Sequence, residues 1–186
     1  MSQSSVNNQL LIDRCRKGDQ QAQMQVYRTY YQAMYNISVR IVKDPYEAED
    51  VMQESFLSAF TKIDNFKGEV TFGAWLKRIV INNSIQHYRK KQKEDEISFD
   101  KVSYRVEDHE EVVTDHEFTN MKAQKVLQTM KLLKDNYRVA LTLHLIEGYD
   151  YEEICEIMDI SYANCRTTIS RAKERLRKHL IEMAYE

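Results

Sequence analysis

A single proline and four glycines among 186 residues leave too few turn-forming positions for a fold of short strands and hairpins, so an all-α chain is expected. No run of 18 apolar residues occurs, so no membrane insertion is expected. The amino terminus, MSQSSVNNQ, lacks the charged-then-apolar layout of a secretory leader, which points to a cytoplasmic protein. Cysteine is scarce as well. Cys15, Cys155 and Cys165 are an odd count with no CxxC spacing, and are read as free, buried thiols rather than a disulfide or metal site. There is no GxxxxGK[ST] or GxGxxG phosphate loop, no GxSxG nucleophile and no HExxH pair. No enzyme, cofactor or metal is therefore expected.

The net charge of −2 opposes a nucleic-acid role until it is resolved along the chain. Residues 70–93 hold Lys77, Arg78, Arg89, Lys90, Lys91 and Lys93 and no acid, a local charge of +6. Residues 161–181 hold Arg166, Arg171, Lys173, Arg175, Arg177 and Lys178 against Glu174 alone, +5. Between them, residues 94–117 carry ten acids against Lys101 and Arg105, −8. Two basic surfaces and one acidic connector are hidden in the overall sum. The connector, which includes His109 and His116, has no sustained helical stripe. It is read as a linker between two small helical domains, 1–93 and 118–186.

In the first domain the pattern predicts four helices. Residues 7–17 form one, stopped by Gly18. Asp19 starts a second that runs to about Lys43. Asp44 and Pro45 cap and open a third that reaches about Lys62, with Ala48, Met52, Phe56, Ala59, Phe60 and Ile63 turned inward. A fourth, Thr71 to about Lys91, buries Phe72, Trp75, Leu76, Ile79 and Val80. The outer face of the third is rich in carboxylates and amides: Glu47, Glu49, Asp50, Gln53 and Glu54. Asp50 and Glu54 share a face, but a catalytic or metal-binding pair would need burial to shift its pKa, so a solvated or partner-docking face is favoured. The fourth helix combines aromatics with Lys77, Arg78, Asn82, Asn83 and a terminal HYRKK. Aromatic faces can stack unpaired bases while cations track the phosphate backbone. Phe72 and Trp75 fit a core stripe, whereas Phe66, in the preceding loop, has no stripe to join and is the better candidate for a splayed base.

The second domain begins with helices at 118–132 and 135–147, where Val139 to Ile146 is apolar nearly all round and expected to be central. From Gly148 the chain reads GYDYEEICEIMDISYANCRTTISRAKERLRKHL, the layout of a helix-turn-helix. Asp150 and Glu153 can form a capping box. Met158, Asp159 and Ile160 make a turn, and Ser161 can cap a second helix. Tyr162, Cys165, Ile169, Ala172, Leu176 and Leu180 form its core stripe. The opposite face carries Asn164, Arg166, Thr167, Ser170, Arg171, Lys173, Arg177 and Lys178, groups that bond base edges and neutralise phosphates.

Taken in order, DPYEAEDVMQESFLSAFTKID, FKGEVTFGAWLKRIVINNSIQHYRKK and LLKDNYRVALTLHLIEGYDYEEICEIMDIS with its basic helix, the chain resembles a bacterial extracytoplasmic-function (ECF) sigma factor from about Gly18 to Leu180. The resemblance implies sigma regions two and four joined by the acidic linker, with core RNA polymerase and promoter DNA as partners. It assigns Asp50, Gln53, Glu54 and Leu57 to the clamp helices of the largest polymerase subunit, and implies the flap of the second-largest as a further contact. It assigns the Phe66 to Phe72 loop, with Lys67, and the helix bearing Trp75, Lys77, Arg78, Asn82 and Arg89 to the single-stranded minus-ten element. Asn164, Arg166, Thr167, Ser170, Arg171, Lys173, Arg177 and Lys178 fall to the duplex minus-thirty-five element. An anti-sigma factor is implied by the resemblance alone. The chain departs from the family pattern at Gln86, often Asp; at Lys134, usually Pro; at Cys155, commonly Ala; and at Asp159, commonly Gly. A stand-alone helix-turn-helix regulator is the competing reading, but it leaves the basic-aromatic helix and the acidic linker without a role.

Overall fold

The computed structural model of the chain describes residues 3–97 and 119–183, all of whose regular elements are helical. Two compact units separate between the fourth and fifth helices. The acidic connector from 98 to 117, with His109 and His116, lies outside the described residues.

In the first unit α1 is Gln3–Arg16, α2 Gln20–Val42, α3 Pro45–Thr61 and α4 Phe72–Ile97. The boundaries arise from local chemistry. Gly18 takes φ 76°, a conformation that glycine reaches without a Cβ clash, and lets Asp19 N–H reach back to the Arg14 carbonyl at 3.1 Å. The Asp19 carboxylate then accepts from the N–H groups of Gln21 and Ala22 and starts α2. Those backbone donors, led by Ala22, and the Arg14 guanidinium hold its pKa below the usual range. Asp44 repeats the capping for α3, with Pro45 at the first helical position.

Helices α2, α3 and α4 pack on one another, and α1 rests on α2 and on the 3-10 turn Ile63–Asn65. Val26 and Ile41 of α2, Ala48, Met52 and Ala59 of α3, and Leu76, Val80 and Ile81 of α4 are completely buried, each of the larger aliphatic side chains stabilising by about 1.5–3 kcal/mol. Phe60, Trp75 and Ile79, read as core from their spacing, are half-buried. At Gly73 a Cβ would stand 2.8 Å from Tyr30 Cε1, so a larger residue here would have to displace the Tyr30 ring of α2. Helix α4 runs six residues past Lys91, so the first acids of the connector, Glu94 to Glu96, prolong a helix instead of opening the linker. Lys90 lies 3.9 Å from Glu94, an exposed i, i+4 pair that adds at most a few tenths of a kcal/mol to this extension.

In the second unit α5 is Thr119–Lys131, α6 Asp135–Leu141, α7 Tyr151–Met158 and α8 Tyr162–Glu182, with a wide π-helical turn, Thr142–Ile146, extending α6. The other elements pack around α8, which buries Cys165, Thr168, Ile169, Ala172 and Leu176. Two expectations need correction. Val139 to Leu143 are buried, but Leu145 and Ile146 are 49% and 36% exposed, because the π-helical turn breaks the 3.6-residue period and rotates them outward. Tyr162, placed in the core stripe of α8, is also exposed. It is the first residue of the helix, at the edge of the packed interface, where its ring meets Tyr151 edge-on at 6.2 Å. Lys134, the departure from proline, holds φ −56°, within the range a proline ring would impose, so the turn into α6 keeps its shape without it.

Candidate nucleic-acid and polymerase interfaces

Helix α8 reaches its position through the turn before it. Asp150 accepts from Glu153 N–H at 2.8 Å, and the Glu153 carboxylate accepts from Asp150 N–H at 3.0 Å, so both halves of the capping box form. Asp159 closes α7 in the left-handed conformation, φ 48° and ψ 52°. Its N–H and that of Ile160 both converge on the Cys155 carbonyl. Ser161 then caps α8 by accepting from Asn164 N–H at 3.3 Å.

The polar face of α8 lies outward, as its pattern requires. Asn164, Arg166, Thr167, Ser170, Arg171, Arg177 and Lys178 are exposed, and Lys173 is half-buried. Two of these are locally oriented. Thr167 Oγ1 donates to the Ala163 carbonyl at 2.8 Å. Thr168 Oγ1 donates to Asn164 Oδ1 at 3.2 Å, which leaves the Asn164 amide hydrogens free to point at a ligand. Beneath this face burial pushes the Cys165 thiol up to about 11, the adjacent Cys155 thiol adding to the effect. Both remain unpaired thiols, as does Cys15.

In the first unit α3 turns Asp50, Gln53, Glu54 and Leu57 to solvent. Their i, i+3, i+4, i+7 spacing makes one continuous strip. Leu57 is 67% exposed, a large apolar side chain ringed by carboxylates and amides. Glu47 does not belong to this face. Its carboxylate accepts from Lys91 Nζ at 2.7 Å and lies 3.1 Å from His87 Nε2, tying the start of α3 to the far half of α4. Glu49 accepts from Gln53 at 3.2 Å.

Along α4, Arg78 and Asn82 are exposed one turn apart, with Gln86 and Lys90 on the next two turns, while Lys77 and Arg89 are half-buried. Asn83, one residue on, points inward and donates to Ser55. The aromatic reading needs correction. Phe66 is only 5% exposed and meets Phe72 edge-on at 5.4 Å and Trp75 at 5.5 Å. The 3-10 turn causes this: Phe66 N–H bonds back to the Ile63 carbonyl at 3.1 Å, folding the ring into the cluster rather than out of the loop. Phe72 is buried with it and Trp75 half-buried. Of the loop between them, Lys67, Gly68, Glu69 and Val70 are exposed.

Sequence reasoning missed Arg16. From the end of α1 its Nη2 donates to the Phe66 carbonyl at 2.6 Å across fifty residues of chain, a relationship for which no local pattern exists. The Glu47, His87 and Lys91 bridge was hidden for the same reason.

Among the described residues no helix is long and apolar enough to cross a membrane, and no group of three His, Cys, Asp or Glu side chains is placed to hold a metal ion.

Comparison with known proteins places both units. Residues 26–94 match the family model of Sigma-70 region 2, and residues 123–176 that of Sigma-70, region 4. The chain is 32% identical to the RNA polymerase sigma-H factor of Pseudomonas aeruginosa over 184 residues, covering 93% of each. It is 32% identical to the ECF RNA polymerase sigma factor SigW of Bacillus subtilis, covering 92% of this chain and 96% of SigW. It is 31% identical to the ECF RNA polymerase sigma-E factor of Escherichia coli, covering 92% and 93%. Among solved structures the fold is similar to that of the sigma factor RpoE, in complex with the anti-sigma factor NepR from Bartonella quintana. That match has TM-score 0.60 and 23% identity and covers 84% of this chain and 95% of RpoE. It is also similar to CnrH, in complex with the cytosolic domain of CnrY, with TM-score 0.54 and 21% identity, covering 94% and 97%.

Proposed function

Because this chain belongs to the ECF sigma factors of the sigma-70 family, and so is an RNA polymerase sigma factor that directs transcription initiation, we propose that it grips one promoter at two places. The α8 face from Asn164 to Lys178 reads the duplex minus-thirty-five element. The exposed loop around Lys67 and the α4 face of Arg78 and Asn82, with Lys77 and Arg89 beside it, engage the minus-ten element once unpaired. The strip Asp50, Gln53, Glu54 and Leu57 docks on the clamp helices of the largest polymerase subunit, and the second unit on the flap of the second-largest. Residues 1–97, 98–117 and 118–186 divide the labour, the helix α4 having taken up the first four residues of the expected linker, with the acidic linker drawn to a basic, nucleic-acid-lined channel.

The observation that carries this reading is the α8 face. Base-edge donors, hydroxyls and cations lie together on the outer side of a helix whose entry is fixed by a complete capping box and a serine cap, the arrangement by which a recognition helix enters a major groove. Phe66 and Phe72 are buried in the free chain, so in this reading they support the loop, and base capture falls to exposed polar groups and the half-buried edge of Trp75. Melting is driven by capture of unpaired bases, the factor itself acting as an initiation factor and not as an enzyme.

Net charge −2 implies weak binding to DNA by the free chain, since few counterions are released until polymerase presents both units together. Action on polymerase and DNA places the protein in the cytoplasm. RpoE was solved with an anti-sigma factor and CnrH with the cytosolic domain of CnrY, and an anti-sigma factor of this chain is proposed to cover its polymerase-docking surface.

Run-off transcription with core polymerase on a pool of random upstream sequences tests the whole reading. Selected templates should share two short elements separated by a fixed spacing. Start sites that do not change when the protein is added or withheld would refute it.

A further inference from the structure

The loop from Phe66 to Thr71 is anchored at its two ends and open between them. At its far end Thr71 starts α4, its hydroxyl accepting from Ala74 N–H at 3.2 Å and its carbonyl from Trp75 N–H at 3.1 Å. At its near end the Phe66 ring is locked among Phe72 and Trp75, and the Phe66 carbonyl accepts from Arg16 Nη2 at 2.6 Å. Arg16 is itself aimed. Its Nη1 lies 2.8 Å from Asp13 Oδ1, one turn back on α1, and the same oxygen accepts from Gln9 Nε2 at 3.3 Å. Between the anchors Lys67, Gly68, Glu69 and Val70 are exposed, and Gly68 takes φ 78°.

Ring packing fixes where Phe66 sits but leaves its peptide plane able to rotate, because a side chain constrains the Cα–Cβ direction and not the carbonyl beyond it. The orientation of that carbonyl is the orientation of the next N–H, and so of the direction in which Lys67 leaves the core. A charged guanidinium is among the strongest side-chain donors for holding a carbonyl, and Arg offers a second donor for Asp13 in the same rigid fork.

We infer that Arg16 is a positioning residue for promoter opening: by holding the Phe66 carbonyl it sets the direction in which the Lys67 to Val70 segment is presented to the unpaired strand. This rests on the reading of that segment as part of the minus-ten contact. It gives α1 a role in strand selection although α1 carries none of the proposed DNA contacts.

The test uses holoenzyme reconstituted from core polymerase and full-length chain, on a promoter selected from the random pool and on versions with single base changes in each element. Arg16→Ala should reduce discrimination within the minus-ten element by about fivefold, as for a lost charge-assisted hydrogen bond. Discrimination within the minus-thirty-five element and affinity for core polymerase should stay within about twofold, the scatter allowed a surface change. Arg16→Lys, which keeps a charged donor, should recover part of the loss. Asp13→Asn, which loosens the aim but keeps the donor, should show the same selective loss in smaller degree and remains informative should Arg16→Ala fail to fold. Equal loss on both elements, or unchanged minus-ten discrimination, would overturn the inference. Lys67→Ala and Asn82→Ala serve as controls for the underlying reading. If both leave minus-ten discrimination intact, the segment does not read the strand, and that reading falls whatever Arg16 does.

Discussion

Asn83 Nδ2 donates to Ser55 Oγ at 3.0 Å across the interface of α4 and α3, and Ser55 Oγ in turn donates to the Val51 carbonyl at 2.6 Å. The two adjacent asparagines of α4 therefore have opposite fates. Asn83 is committed to the interior, and Asn82, about one hundred degrees around the helix, is exposed.

Asn83→Ala should lower the unfolding free energy by about 1 kcal/mol, the net worth of one such bond, read from urea denaturation. Asn82→Ala should leave the denaturation midpoint unchanged and weaken binding of a single-stranded minus-ten oligonucleotide by the holoenzyme. A larger stability loss at Asn82 than at Asn83 would reverse the assignment.

Arg171 stands mid-face on α8 among Thr167, Ser170 and Lys178. If its guanidinium forks onto a guanine, Arg171→Ala should relax discrimination at one base pair of the upstream element by about 1–3 kcal/mol. Competition binding of holoenzyme to duplexes changed one pair at a time gives the reading. Equal weakening on every duplex would make it a phosphate contact only.

Leu57 is the apolar centre of the α3 strip, and its exposure means that little packing is lost on substitution. Leu57→Asp should leave the melting temperature unchanged and weaken capture of core polymerase by about tenfold or more, as for a central interface anchor. Unaltered capture would move the docking surface elsewhere.

Local chemistry made much of this fold readable from sequence. Asp19, Asp44, Asp150 and Ser161 are caps because each stands just ahead of a helix-forming run whose first N–H groups need an acceptor, and the structure has all four in that role. The polar face of α8 was legible because a helix with a buried stripe can turn only one other side outward. The features that stayed hidden depend on contacts between residues far apart in the chain. Phe66 sits alone among loop residues in sequence, and only the return of the 3-10 turn onto α4 buries it. By spacing alone Glu47 falls among the solvated carboxylates of α3, and only the far half of α4, which supplies Lys91, draws it away from them. Leu145 and Ile146 continue an apolar run that a regular helix would bury, and a π-helical turn sends them outward. At Arg16 the bonded partner is a backbone carbonyl, which has no sequence identity to find.

Cys165 is buried at the base of the recognition helix, and that burial, with the Cys155 thiol beside it, pushes its pKa from 9.0 to about 11. At pH 8 the reactive thiolate is thus about one part in a thousand. Labelling of native protein with iodoacetamide should be very slow at Cys165 and rise about tenfold per pH unit toward 11, while denatured protein labels fully. Between pH 9 and 11 the folded state holds a proton that the unfolded state has released, so the contribution to stability is complete below 9 and is lost as pH rises through that window. Rapid labelling at pH 8 in the folded state would show that α8 does not seal this site.

Asp159 holds the left-handed closing position of α7, with φ 48°, where a Cβ is strained and glycine is not. Its carboxylate also stands at the negative end of the α7 dipole, where a further negative charge is unfavourable. The side chain is exposed, so replacing it removes no packing, and both N–H groups that converge on the Cys155 carbonyl belong to the backbone and survive. Glycine adds freedom to the unfolded chain, which offsets part of the gain. Asp159→Gly should therefore stabilise by about 0.5–1 kcal/mol net, while Asp159→Val, whose branched Cβ cannot enter this region without strain, should destabilise by more than that. Because α8 starts only three residues later, the same pair of variants asks whether turn geometry governs DNA reading. Asp159→Gly should keep the upstream-element affinity of holoenzyme, since the turn already has the shape glycine favours. A drop in that affinity with raised stability would mean that the Asp159 carboxylate, and not the turn, is what orients the recognition helix.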